Sequence, residues 1–151
     1  CIRDSRQGVP VLKQSIDYVI DGVGKGAYII REENIPELIF LATGSEVSLA
    51  MEVASKMSDK RVRVVSMPCW EIFENQSQEY RQSIIPNRGA MKISFEAGIT
   101  LGWEKYIGST GLAIGIDHFG ASAPGKDLAQ EFGFTPQKIE SKIRQHLDRL
   151  L

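Results

Sequence analysis

The chain has 151 residues, 42% of them hydrophobic, and a formal net charge of −1 at pH 7 from 18 basic and 19 acidic side chains. That is enough for one domain with its own core, and charges of both signs scattered along the chain argue against the clustered basic face that nucleic acid requires. Two cysteines, Cys1 and Cys69, and two histidines, His118 and His146, without any Cys-x-x-Cys spacing argue against a disulfide framework or a zinc site.

The N-terminus, CIRDSRQGVP, carries no signal-peptide pattern and no initiating methionine. No apolar run reaches the roughly 18 residues that span a bilayer. The expectation is a reduced, cytoplasmic protein and a piece of something longer. Residues 1–25 read as an arm without sustained periodicity, punctuated by Gly8, Pro10, Gly22 and Gly24, with Gly26 just beyond.

A regular alternation follows. AYIIRE (Ala27–Glu32) reads as a strand, and Asn34–Glu37, with Pro36, as a turn. LIFLAT (Leu38–Thr43) is an apolar run of strand length, suited to burial on both faces. Thr43-Gly-Ser-Glu46 fits a capping box, and Val47, Ala50, Met51, Ala54 and Met57 fall on one helical face after it. VRVVSM (Val62–Met67) is the next strand, stopped by Pro68, and a short helix begins near Cys69. Ser77–Ile85 reads as a helix ending before Pro86, and Met91–Gly98 and Leu112–Asp117 as strands, with the segment Ala123–Phe134 after them. Thr135 is an N-cap with Pro136 at the first helical position, followed by the stripe Ile139, Ile143, Leu147 and Leu150. Strands alternating with helices predict a three-layer α/β sandwich around a mostly parallel five-stranded sheet, with room for one antiparallel edge strand.

The chemical motifs are sparse. Gly22-Val-Gly24-Lys25-Gly26 lacks the Ser or Thr and the following helix of a phosphate loop, and reads as a linker. Gly44 is a single glycine where a dinucleotide fingerprint uses three, so its turn reads as structural, although a helix N-terminus retains donors for a weak anion site. Arg3 and Arg6 read as a solvated, charged terminus, and a guanidinium fork in one arm makes no pocket by itself. Cys69 sits where a strand gives way to a helix, a place that can activate a thiol, but neither histidine is local and the packing reading is favoured. His118 follows a strand on the edge where α/β folds place ligands, yet adjacent Asp117 points to the opposite face, which disfavours a relay. His146 flanks the last apolar stripe. The residues alone describe an α/β domain without equipment for chemistry.

Read in order, ATGSEVSLAMEVA, VRVVSMPCWEIFENQ, ISFEAG with GWEKYIG, and IGIDHFGASAPGKDLAQEFGFTPQKI resemble the C-terminal domain of transketolases over nearly the whole chain. The resemblance implies residues 1–25 as an arm from a preceding pyrimidine-binding domain and 26–151 as the C-terminal domain itself. It implies an intact homodimeric transferase of the pentose phosphate pathway, moving a two-carbon ketol unit between sugar phosphates with thiamine diphosphate and Mg²⁺ or another divalent cation. It places no cofactor, metal or catalytic residue in this segment, which would be scaffold and dimerisation domain, with neither nucleic acid nor membrane as a partner. Ser5-Arg6-Gln7 matches the family's Ser/Thr-Arg-Gln, which implies Arg6 as the arginine that holds a substrate phosphate. Here Arg3-Asp4 follows Ile2, where the family usually brings an apolar strand directly to the motif. The alternatives are the equivalent domain of a 1-deoxyxylulose-5-phosphate synthase or of a 2-oxo acid dehydrogenase β subunit, or an independent ligand-binding or regulatory module.

Overall fold

Apolar runs too short for helices and too apolar for a solvated face become the strands of one sheet, as a computed structural model describing residues 8–150 shows. The strands are β1 (Tyr28–Arg31), β2 (Leu38–Ala42), β3 (Val62–Ser66), β4 (Met91–Phe95) and β5 (Leu112–Ile114). Their spatial order is β1-β3-β2-β4-β5. The β3–β2, β2–β4 and β4–β5 pairs are parallel, whereas the edge strand β1 runs antiparallel to β3 with a register shift between Ile29 and Arg31. Every residue of the central strand β2 is buried, as its unbroken apolar run requires.

Helices cover both faces. On one side α2 (Glu46–Lys56) and α7 (Pro136–Asp148) bury Val47, Ala50, Val53, Ile139 and Ile143 against Leu38, Phe40, Val64, Ile93 and Phe95. On the other, α3 (Trp70–Glu74), α4 (Gln78–Ile84) and α5 (Glu104–Ile107) bury Phe73, Ile84 and Ile107 against Ile39, Leu41 and Val65. Trp103 is fully buried there, its ring 4.9 Å from that of Trp70 in an edge-on arrangement. Thr135 caps α7 by accepting from the Lys138 amide with Pro136 behind it, and Ser77 caps α4 by accepting from the Tyr80 amide. A short helix, α6 (Gly125–Glu131), precedes α7.

One departure from the sequence reading lies before residue 26. Residues 16–24 are not an irregular arm but a helix, α1 (Ile16–Gly24), capped by the Ser15 side chain. Its glycines concealed it. Gly22 is there because a Cβ would stand 2.4 Å from Tyr28 Cγ, so the helix lies directly on the ring of β1. Tyr18 Oη donates to the Ile29 carbonyl at 2.8 Å and ties the two elements together. Gly26 has φ +83°, and a Cβ there would approach the Cys69 carbonyl oxygen to 2.4 Å.

Candidate functional site

The connection from β2 runs through α2 to β3 on one side, whereas β4 leads on to β5 on the other. β2 and β4 are neighbours, so the crevice between their carboxyl ends is the topological switch point, where open α/β sheets place ligands. Thr43 and Glu96 stand there, immediately after the paired residues Ala42 and Phe95.

Gly44 turns the chain with φ +53°, and no atom lies within 4 Å of where its Cβ would be. The glycine serves backbone conformation rather than close approach. The expected capping box does not form. Ser45 occupies the N-cap position with helical φ −66° and ψ −27° and makes no capping hydrogen bond. Its hydroxyl donates instead to Glu46 Oε1 at 2.7 Å. Thr43 Oγ1 turns away from the helix and donates to Glu96 Oε2 at 2.6 Å. The hydroxyl is buried at the strand end, and a charged acceptor makes a stronger bond than a neutral partner would.

Two carboxylates therefore line the switch point. Burial pushes the Glu46 carboxyl above the usual range, the Ser45 hydroxyl opposes this, and the Glu96 charge adds to it. Negative charge at this position opposes the phosphate that nucleotide-binding folds hold on glycine amides. These residues do not fit a diphosphate group. Among the described residues, no cluster of three or more His, Cys, Asp or Glu side chains is placed to hold a metal ion.

The remaining candidates are held apart. Cys69 Sγ donates to Glu71 Oε2 at 3.3 Å. His118 Nδ1 pairs with the Phe119 carbonyl at 2.9 Å while its ring lies edge-on to Phe132, and His146 Nε2 pairs with the Thr110 carbonyl at 2.9 Å. Asp117 accepts from the amide and hydroxyl of Thr100 at 2.8 and 3.0 Å, and these bonds hold its carboxyl below the usual range. No His118–Asp117 or histidine–Cys69 hydrogen bond links these groups among the described residues. Lys25, in the Gly-Lys-Gly stretch, pairs with Asp21 at 2.7 Å and lies over the Tyr80 ring, so that stretch is a helix end. Arg3 and Arg6, with the rest of Ser5-Arg6-Gln7, lie outside the described residues.

Sequence reading missed the Thr43–Glu96 pair, since nothing local links residues 53 positions apart. It also missed a cleft of about 380 Å³ lined by Arg81, Lys92 and Lys105, which come from three separate elements.

Comparison with known proteins bears on this geometry directly. The family described as "Transketolase-like TK C-terminal domain" matches residues 26–135. A transketolase of Staphylococcus aureus is 47% identical over 142 residues, covering 92% of this chain and 22% of its own length. Among solved structures, the transketolase of Leishmania mexicana superposes with a TM-score of 0.79 at 42% identity, over 86% of this chain and 19% of its own. A Pichia stipitis transketolase variant, crystallised with xylulose 5-phosphate, superposes with a TM-score of 0.84 at 32% identity, over 95% of this chain and 20% of its own. The chain thus spans about a fifth of the length of the transferases it matches, and it belongs to the transketolase C-terminal-domain family.

Proposed function

We propose that this chain is the noncatalytic third domain of a transketolase. The intact homodimeric enzyme would move a two-carbon ketol unit between sugar phosphates in the pentose phosphate pathway of the cytoplasm. The observation that carries the reading is the match over 92% of this chain to only 22% of a transketolase. Thiamine diphosphate and its divalent cation supply the carbanion chemistry of such enzymes. The carboxylate-lined switch point argues that they are held by the rest of the protein.

The surface fits a scaffold role. Ile16, Ile20 and Val23 form an exposed apolar stripe on α1. Ile99, Leu101 and the fully exposed Phe119 form a second apolar area at the carboxyl edge of the sheet. Apolar groups left in water at this density mark contact surfaces, and we assign them to the other domains and the dimer partner. Residues 1–25 would lead in from the preceding domain, laying α1 on β1, with residues 26–151 forming the domain proper.

Arg6 is the residue we propose for substrate contact. A guanidinium on the remote phosphate orients the sugar through paired charge-assisted hydrogen bonds. The test is Arg6→Ala in the full-length enzyme, comparing a phosphorylated donor with hydroxypyruvate. A raised KM and lowered kcat for the phosphorylated donor alone, with unchanged thiamine diphosphate affinity, supports the role. Equal losses for both donors would assign Arg6 to folding or packing.

A further inference from the structure

On the face of the sheet away from α2 and α7, the ends of α3 and α4, the start of β4 and α5 enclose a cleft of about 380 Å³. Three cations line it, Arg81 of α4, Lys92 of β4 and Lys105 of α5, against a single carboxylate, Glu74. That carboxylate is already engaged. Lys105 forms an ion pair with it, and Tyr106 Oη donates to Glu74 Oε1 at 2.5 Å. Together these partners hold its carboxyl below the usual range.

Arg81 feels the Glu74 charge without pairing with it, and Lys92 faces no counter-charge. Neither side chain makes a hydrogen bond or ion pair among the described residues, and Arg81 Nε is shut off from solvent without an acceptor. Lys92 is half-buried, and burial pushes its ammonium below the usual lysine range. An enclosed donor without an acceptor and a desolvated cation without a counter-charge are each costly. Both costs vanish if one anion enters the cleft.

We propose that this cleft is a binding site for a phosphate dianion, either the free ion or the headgroup of a small phosphomonoester. A dianion matches the excess of three cations over the one carboxylate in the lining. Its several oxygens accept from a guanidinium and an ammonium at once, and Asn87 at the rim adds an amide donor. The volume lies at the lower end of the range for small-molecule sites, which suits a compact ligand. The site is separate from the switch point.

The test is equilibrium dialysis of radiolabelled orthophosphate against the full-length protein at constant ionic strength. The wild type is compared with Arg81→Met/Lys92→Met, Lys92→Met and Lys92→Arg, each checked for native circular dichroism. We expect the double variant to bind one phosphate fewer per chain than the wild type. Lys92→Met should weaken that site at least about tenfold, as loss of a charge-assisted bond implies, and Lys92→Arg should retain it. Displacement by glycerol 3-phosphate at lower concentration than by unlabelled orthophosphate assigns the site to a phosphomonoester, and the reverse order to the free ion. Identical stoichiometry and affinity in wild type and Lys92→Met overturns the proposal, as would follow if an acidic segment of the protein already fills the cleft. Should the double variant not fold, the single variants decide the question.

Discussion

Thr43 Oγ1 donates a 2.6 Å hydrogen bond to Glu96 Oε2 across the carboxyl ends of β2 and β4. It fastens together the two strands between which a ligand would enter. Thr43 is 2% exposed, so its hydroxyl has no access to bulk water in exchange. The bond therefore makes the switch point a structural joint.

Thr43→Val keeps the shape and removes the donor. The expected cost is about 1–3 kcal/mol, toward the lower end because Glu96 is half-buried and keeps some contact with water. Thr43→Ser should recover most of it. Urea unfolding of the three proteins checks the ordering, and equal midpoints for wild type and the valine variant would show that the bond does not hold the strands together.

Glu46 gives the same region a pH signature. Its folded-state carboxyl titrates above the unfolded value of 4.5, chiefly through burial, so the folded state binds the proton more tightly. Below the unfolded value both states are protonated and Glu46 carries no penalty. As pH rises through the folded value, the wild type loses that advantage. Glu46→Gln should therefore melt higher than wild type at neutral pH, and the two curves should converge below about pH 4. A constant difference across the range would assign the effect to packing.

Two glycines close in sequence should respond in opposite directions. Gly26→Ala combines φ +83° with a Cβ 2.4 Å from both the Cys69 carbonyl oxygen and the Phe73 nitrogen, and should cost about 3 kcal/mol or more. At Gly24, the last residue of α1, nothing lies within 4 Å of a new Cβ. Gly24→Ala should stabilise by about 0.5–1 kcal/mol. Thermal melts of both variants check the pair, and Gly24→Ala also tests whether α1 is a helix.

Arg144 grips Asp59 with two hydrogen bonds, of 3.0 and 2.7 Å, and ties α7 to the turn after α2. This pairing, the Arg144 side-chain bonds first, lowers the Asp59 carboxyl from 3.8 to about 2. A depressed carboxylate contributes stability above its unfolded value and loses it as pH falls toward the folded one. In an NMR titration Asp59 should have its midpoint near 2, and Arg144→Ala should return it toward 3.8. An unmoved midpoint would mean that the pair does not persist in solution.

The centre of the sheet was legible because β2 is buried on both faces, so that LIFLA could not be read as anything half-solvated. Helix α7 was legible from Thr135, Pro136 and a stripe of regular spacing. Helix α1 was not, although Ile16, Val19, Ile20 and Val23 have helical spacing, because Gly22 and Gly24 read as breaks. Gly22 is demanded by Tyr28, a contact with another element that no local rule contains. The Thr43–Glu46 pattern misled for the same reason, since Thr43 found a partner on a strand 53 residues away. The Arg81–Lys92 cleft had no motif at all. Its cations acquire meaning only when α4, β4 and α5 bring them to one opening.

In the proposed enzyme the cofactor is held outside this chain. The most direct measurement is calorimetric titration of thiamine diphosphate with Mg²⁺ into the 151-residue chain and, in parallel, into the full-length protein. Stoichiometric binding to the full-length protein and no saturable heat from the chain are expected. Stoichiometric, Mg²⁺-dependent binding to the chain alone would contradict that placement.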